Sequence, residues 1–143
     1  MVSSISFYRE LEDLSHEHMR VLKRLDKYVE ALESSGVEDE GLQVRVLSCL
    51  RRLRAIRARL LGMIDEGVKM DDAGREVREG ISILSEYMVL GGLYLERDLL
   101  ERIRVLKGRL PLLAGSAGDL ERDLTELDRL SELLEGFVEE QEA

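Results

Sequence analysis

In the first 32 residues, Phe7, Leu11, Leu14, His18, Val21, Leu25, Tyr28 and Leu32 follow one another at alternating steps of four and three. A run of that period lasting almost four heptads is the signature of a helix that buries one stripe, and few folds accommodate it except helices packed on helices. Leu22 and Val29 flank the stripe, Ser4 or Ser6 can cap its start, and Ser34-Ser35-Gly36 ends it. The second segment repeats the rule with Leu42, Val46, Cys49, Leu53, Ile56, Leu60 and Met63, ending near Gly67.

A third helix is expected from Met70-Asp71-Asp72, which offers an N-cap, through Val77, Ile81, Leu84 and Met88 toward Leu106. Gly91-Gly92 either divides it in two or lies inside one long helix as a kink or close-packing point. The continuous reading is preferred, because Leu93-Tyr94-Leu95 resumes the apolar pattern without turn chemistry. Pro111 and Gly115-Ser116-Ala117-Gly118 mark a loop near 108–118. The last helix, capped by Ser116 or Asp119, presents Leu120, Leu124, Leu127, Leu130, Leu134 and Phe137 on one face. Glu139, Glu140 and Glu142 oppose the helix dipole, so residues 139–143 are expected to fray. Nothing reads as a strand. The expectation is a single all-α domain over 1–143: four long amphipathic helices, or five if Gly91-Gly92 breaks the third, in a bundle or packed hairpins.

The charge distribution is uneven. The net charge is −9, yet residues 42–61 carry six arginines and no acid, whereas Gly118 to the end holds ten acids and two bases. Arg45, Arg51, Arg52, Arg54, Arg57 and Arg59 are therefore the candidate residues for an anionic partner. On a helical wheel Arg51, Arg54 and Arg57 fall opposite the apolar seam, and Arg45, Arg52 and Arg59 lie along one flank. The alternative is that the acidic last helix, or another subunit, neutralises them. An anionic membrane surface suits such a helix better than nucleic acid, given the negative total and the absence of interleaved aromatics.

Catalytic chemistry finds no footing in the pattern. His16 and His18 point about 200° apart on a helix and cannot chelate one ion together. Cys49 stands alone on the seam, most carboxylates fall on expected solvent faces, and no glycine pattern suits a phosphate. No catalytic residue, cofactor, metal site or small-molecule substrate is expected. The lone cysteine and the absence of a signal-like start at Met1–Ile5 point to the cytoplasm. There is no Asn, there are two Gln, and Arg outnumbers Lys seventeen to four, a composition expected of a thermophilic source.

Two family resemblances bear on function. Leu14-Ser15-His16-Glu17-His18-Met19-Arg20-Val21-Leu22, continuing to Leu32, resembles the first helix of hemerythrin-like domains, four-helix bundles that hold a diiron site. His18 would match one ligand, but the other histidine ligands have no counterpart, so the resemblance implies the bundle without the iron chemistry. The overall layout is similar to archaeal ESCRT-III-type filament subunits that remodel membranes: a hairpin (Val21–Ile64), Leu90-Gly91-Gly92, Ile103 to Leu110 with Pro111, then an acidic helix. That family's ATPase-docking motif is partly echoed by Arg129-Leu130-Ser131-Glu132-Leu133, although Glu126 stands where a leucine is usual. The resemblance implies a non-enzymatic assembly protein, peripheral at the inner membrane surface, with a basic helix for anionic partners and an acidic regulatory helix. The alternative is a degenerate hemerythrin-like bundle or a small accessory subunit of a larger complex. Either way a protein partner or self-association is expected.

Overall fold

The computed structural model describes residues 2–35, 39–69, 74–114 and 117–142. It is an all-α bundle. Helix α1 (Ser4–Ser35) turns back into α2 (Glu40–Glu66), and the third rod is made of α3 (Arg75–Tyr87), a π-helical turn (Met88–Leu93) and α4 (Tyr94–Leu106). After a 3₁₀ turn (Lys107–Arg109) and the one-turn α5 (Pro111–Ala114), α6 (Ala117–Glu142) closes the bundle. The third helix is thus continuous across Gly91-Gly92, with the glycines inside the π turn. No helix among the described residues is long and apolar enough to cross a membrane.

Cross-helix pairs give the arrangement. Arg52 meets Glu17 and Arg59 meets Glu10, so α2 runs antiparallel to α1. Tyr94 meets Glu135 and Arg104 meets Glu121, so α6 runs antiparallel to the third rod. The rod itself lies parallel to α1, since His18 meets Glu96 and Asp26 and Glu33 meet Arg102. The connection from α2 to α3 therefore passes the start of α1, and there Val68–Lys69 (β2) pairs in parallel with Val2–Ser3 (β1). This two-residue ladder corrects the expectation of no strand; two residues are too few to show alternation in a sequence.

The stripes expected to face inward do so. Phe7, Leu11, Leu14, His18, Val21, Leu25 and Leu32 on α1, and Val46, Cys49, Leu53, Ile56 and Leu60 on α2, are buried, while Tyr28 and Leu42 are half-buried at the seam's edge. Burial raises the pKa of the Cys49 thiol, against the smaller opposing pull of Arg24 and Arg52, as suits a packing residue rather than a nucleophile. From α6, Leu120, Leu124, Leu127, Leu130 and Leu134 complete the core, with Phe137 half-buried against Phe7.

Helix ends differ in detail from expectation. Ser3, rather than Ser4 or Ser6, caps α1 by accepting from the Ser6 N–H at 3.2 Å. Asp39 caps α2 through the Leu42 N–H, and Gly67 ends it with φ 76°, a conformation that favours glycine. The cap expected at Met70-Asp71-Asp72 lies outside the described residues, and so does Ser116; Asp119 sits within the first turn of α6, paired with Arg122. Of the described residues in the expected loop at 108–118, all but Leu110 are helical. Pro111 opens α5, where its missing N–H costs nothing, and Leu110 and Leu113 are buried beneath. Gln43 of α2 accepts from the Leu112 N–H at 3.0 Å and fastens this turn to the bundle. Backbone helix continues through Glu139 and Glu140.

Gly62 and Gly136 lie inside α2 and α6, and a Cβ at either would meet nothing within 4 Å. Gly62→Ala and Gly136→Ala should each stabilise the bundle by about 0.5–1 kcal/mol through backbone entropy alone, read as a higher denaturant midpoint with unchanged slope.

Candidate functional site: a buried ionic layer and two exposed stripes

Each long rod of the bundle contributes one polar side chain to a layer across its middle. His18 comes from α1, Arg57 from α2, Glu96 from α4 and Asp123 from α6, and all four are at least 95% buried. His18 Nε2 lies 2.6 Å from Glu96 Oε1. The same carboxylate receives Arg57 on its other oxygen, so Glu96 bridges the imidazole and the guanidinium. Arg57 Nη1 donates to Glu96 Oε2, its Nη2 to Asp123 Oδ1, and its Nε to Glu126 Oε1 at 2.8 Å. Arg54 then clasps Asp123 from the rim in a bidentate pair at 2.9–3.1 Å. Burial alone would lower the Arg57 pKa, but Glu96, Glu126 and Asp123 together outweigh it and hold the guanidinium above its ordinary value.

The layer also explains the π turn. An ideal Cβ on Gly92 would lie 2.8 Å from His18 Nδ1 and 3.1 Å from its Cε1. The imidazole therefore occupies the space that any side chain at 92 would need. The Tyr94 N–H bonds back to the Val89 carbonyl, the i→i+5 pattern that widens the rod at this point.

The six candidate arginines are dispersed rather than gathered. Arg57 points inward, which overturns its expected place on the outer face. Val46, Leu50, Leu53, Arg57 and Leu60 form a buried band broader than the heptad seam, and Arg57 follows Leu50 by seven residues and Leu53 by four. Arg54 turns to α6, while Arg52 and Arg59 pair with Glu17 and Glu10 of α1. Arg45 lies 5.9 Å over the Tyr28 ring. Arg51 is exposed, with no carboxylate partner among the described residues. The basic helix is thus largely neutralised from both sides. His16 is exposed on the far side of α1.

These residues do not fit a diiron centre. Among the described residues no three His, Cys, Asp or Glu side chains converge where one ion could be held. The carboxylates near His18 are arranged around a guanidinium that already supplies the positive charge.

Two surface features escaped the sequence reading. Arg20, Lys23, Arg24 and Lys27 of α1, at steps of three, one and three, make an exposed basic stripe with no carboxylate partner among the described residues. On the outside of the third rod, Ile83, Tyr87, Leu90 and Tyr94 recur at helical spacing and are 65%, 55%, 60% and 46% exposed. Both were legible as i, i+3, i+4 or i+7 patterns, but the first was hidden by the denser arginines of α2 and the second by the Val77, Ile81, Leu84, Met88 stripe on the same rod.

Comparisons with family models, with curated proteins and with solved structures find no match, so the functional reading rests on this geometry.

Proposed function

We propose that the protein is a non-enzymatic helical interaction subunit that docks a partner on the outer face of its third rod. The supporting observation is the Ile83–Tyr87–Leu90–Tyr94 stripe. Four large apolar side chains in register along one helix form a contiguous patch, unlike the scattered surface hydrophobics of an ordinary monomer, and such patches mark contact sites. Tyrosine supplies broad contact area at low entropic cost. The test compares wild type with a Tyr87→Ser, Leu90→Ser double variant as bait in an extract of the source cells. Both positions are exposed, so folding stability should change by no more than about 0.5 kcal/mol. A partner retained by wild type and lost from the variant is the expected result; identical recoveries sink the reading.

A second reading follows from the α1 stripe and keeps the ESCRT-III-like proposal in altered form. In it α6 holds Arg54 and Arg57, while Arg20, Lys23, Arg24 and Lys27 meet an anionic membrane surface, at about 1 kcal/mol per cation near the headgroups. Co-sedimentation with vesicles rich in anionic lipid should then be lost when the four are changed to Gln. No sedimentation of wild type rules it out.

A further inference from the structure

Resting on the docking face just proposed, we infer that its occupant is a cationic amphipathic helix of another protein, not a second copy of this chain. The stripe is framed by carboxylates. Glu86, Glu135 and Glu139 line a notch of about 280 Å³ whose floor is Val89, Leu90 and Val138. The Tyr94 hydroxyl donates to Glu135 Oε1 at 2.7 Å, which fixes the tyrosine at the stripe's end. Between positions 79 and 96 and between 130 and 142 there is no basic residue at all. The apolar patch and its rim therefore form a uniformly negative corner of the bundle.

That charge pattern selects the partner. An antiparallel two-fold contact between copies of the stripe would set Glu86, Glu135 and Glu139 against their own counterparts, with no cation in the patch to answer them. A contact of the stripe with the α1 face of another copy would satisfy charge but not the apolar surface. The outward positions there are His16, Arg20, Lys23, Arg24 and Lys27, and their apolar neighbour, the half-buried Met19, is too little to cover a stripe of four large side chains. What fits both is a helix with large apolar residues at i, i+3, i+4 and i+7 and Lys or Arg along its flanks. The stripe spans about 17 Å, three turns of such a helix.

The experiment is an anisotropy titration of the full chain with three labelled peptides of about 18 residues. One is a Leu/Lys amphipathic helix, the second keeps its composition in scrambled order, and the third replaces every Lys by Glu. The ordered Leu/Lys peptide should bind at least about tenfold more tightly than the scrambled one, and the Leu/Glu peptide should not bind. Leu90→Ser, and separately Glu86→Gln with Glu135→Gln and Glu139→Gln, should each weaken binding by about tenfold. Equal affinity for ordered and scrambled peptides, or binding indifferent to Leu90→Ser, overturns the inference. Light scattering over a concentration series separates it from the broader proposal. Dimers abolished by Leu90→Ser, with no peptide binding, would make a second copy the occupant and leave the docking face standing.

Discussion

Arg57→Ala should cost about 3–5 kcal/mol of folding stability, measured as a fall in denaturant midpoint, because it removes the charge that permits three carboxylates to gather here. Glu96 is fully buried and Asp123 nearly so, and both have the guanidinium as a charge partner. Glu126 is about half-exposed and contributes little to this loss. Arg54 still reaches Asp123 in the variant, so the uncompensated charge falls mainly on Glu96. One further measurement separates this account from simple loss of packing. Adding Glu96→Gln to Arg57→Ala should restore part of the stability, since a neutral amide is cheaper to bury than a lone carboxylate. A packing defect alone would leave the second substitution without a restoring effect.

The same residue shows where the sequence stops being readable. The seams of α1 and α2 follow from apolar periodicity because apolar side chains have one place to go. Arginine does not, and its position on the buried band depends on Glu96 and Asp123, 39 and 66 residues away in the chain. Nothing local distinguishes those two acids from the many on solvent faces. The third rod poses the reverse problem. Its inward face includes Ile81, Ser85, Met88, Val89 and Gly92, two of them small, while the outward face carries Ile83, Tyr87, Leu90 and Tyr94. The expected stripe of Val77, Ile81, Leu84 and Met88 is the inward one, with Ile81 and Met88 buried and Val77 and Leu84 packed at the core's edge, but its periodicity gives no sign that a second apolar face stays outside. The inward choice is set by what it must accommodate: the His18 ring against Gly92 on one side and the ionic layer at Glu96 one turn later. Sequence periodicity identifies apolar faces, but steric fit against three other helices decides which one the bundle takes.

That fit yields the second large effect, a pair of adjacent glycines whose alanine variants should move stability in opposite directions. Alanine normally stabilises a helix relative to glycine by about 1 kcal/mol. At Gly91 the new methyl would lie 3.8 Å from the Tyr87 ring, an ordinary contact, so Gly91→Ala should gain most of that increment. At Gly92 the methyl would sit 2.8 Å from His18 Nδ1, and the ring cannot withdraw without breaking its hydrogen bond to Glu96. Overpacking of this kind costs about 1–3 kcal/mol. Part of that cost should disappear in a His18→Ala background, where the space is free, although the background itself loses the Glu96 contact. A double-mutant cycle over positions 18 and 92 should therefore show a coupling of about 1 kcal/mol or more, whereas one over 18 and 91 should be additive. If Gly92→Ala proves as stabilising as Gly91→Ala, the close approach of His18 to the π turn is wrong. The ionic layer would then have to be assembled around a different rotation of the third rod.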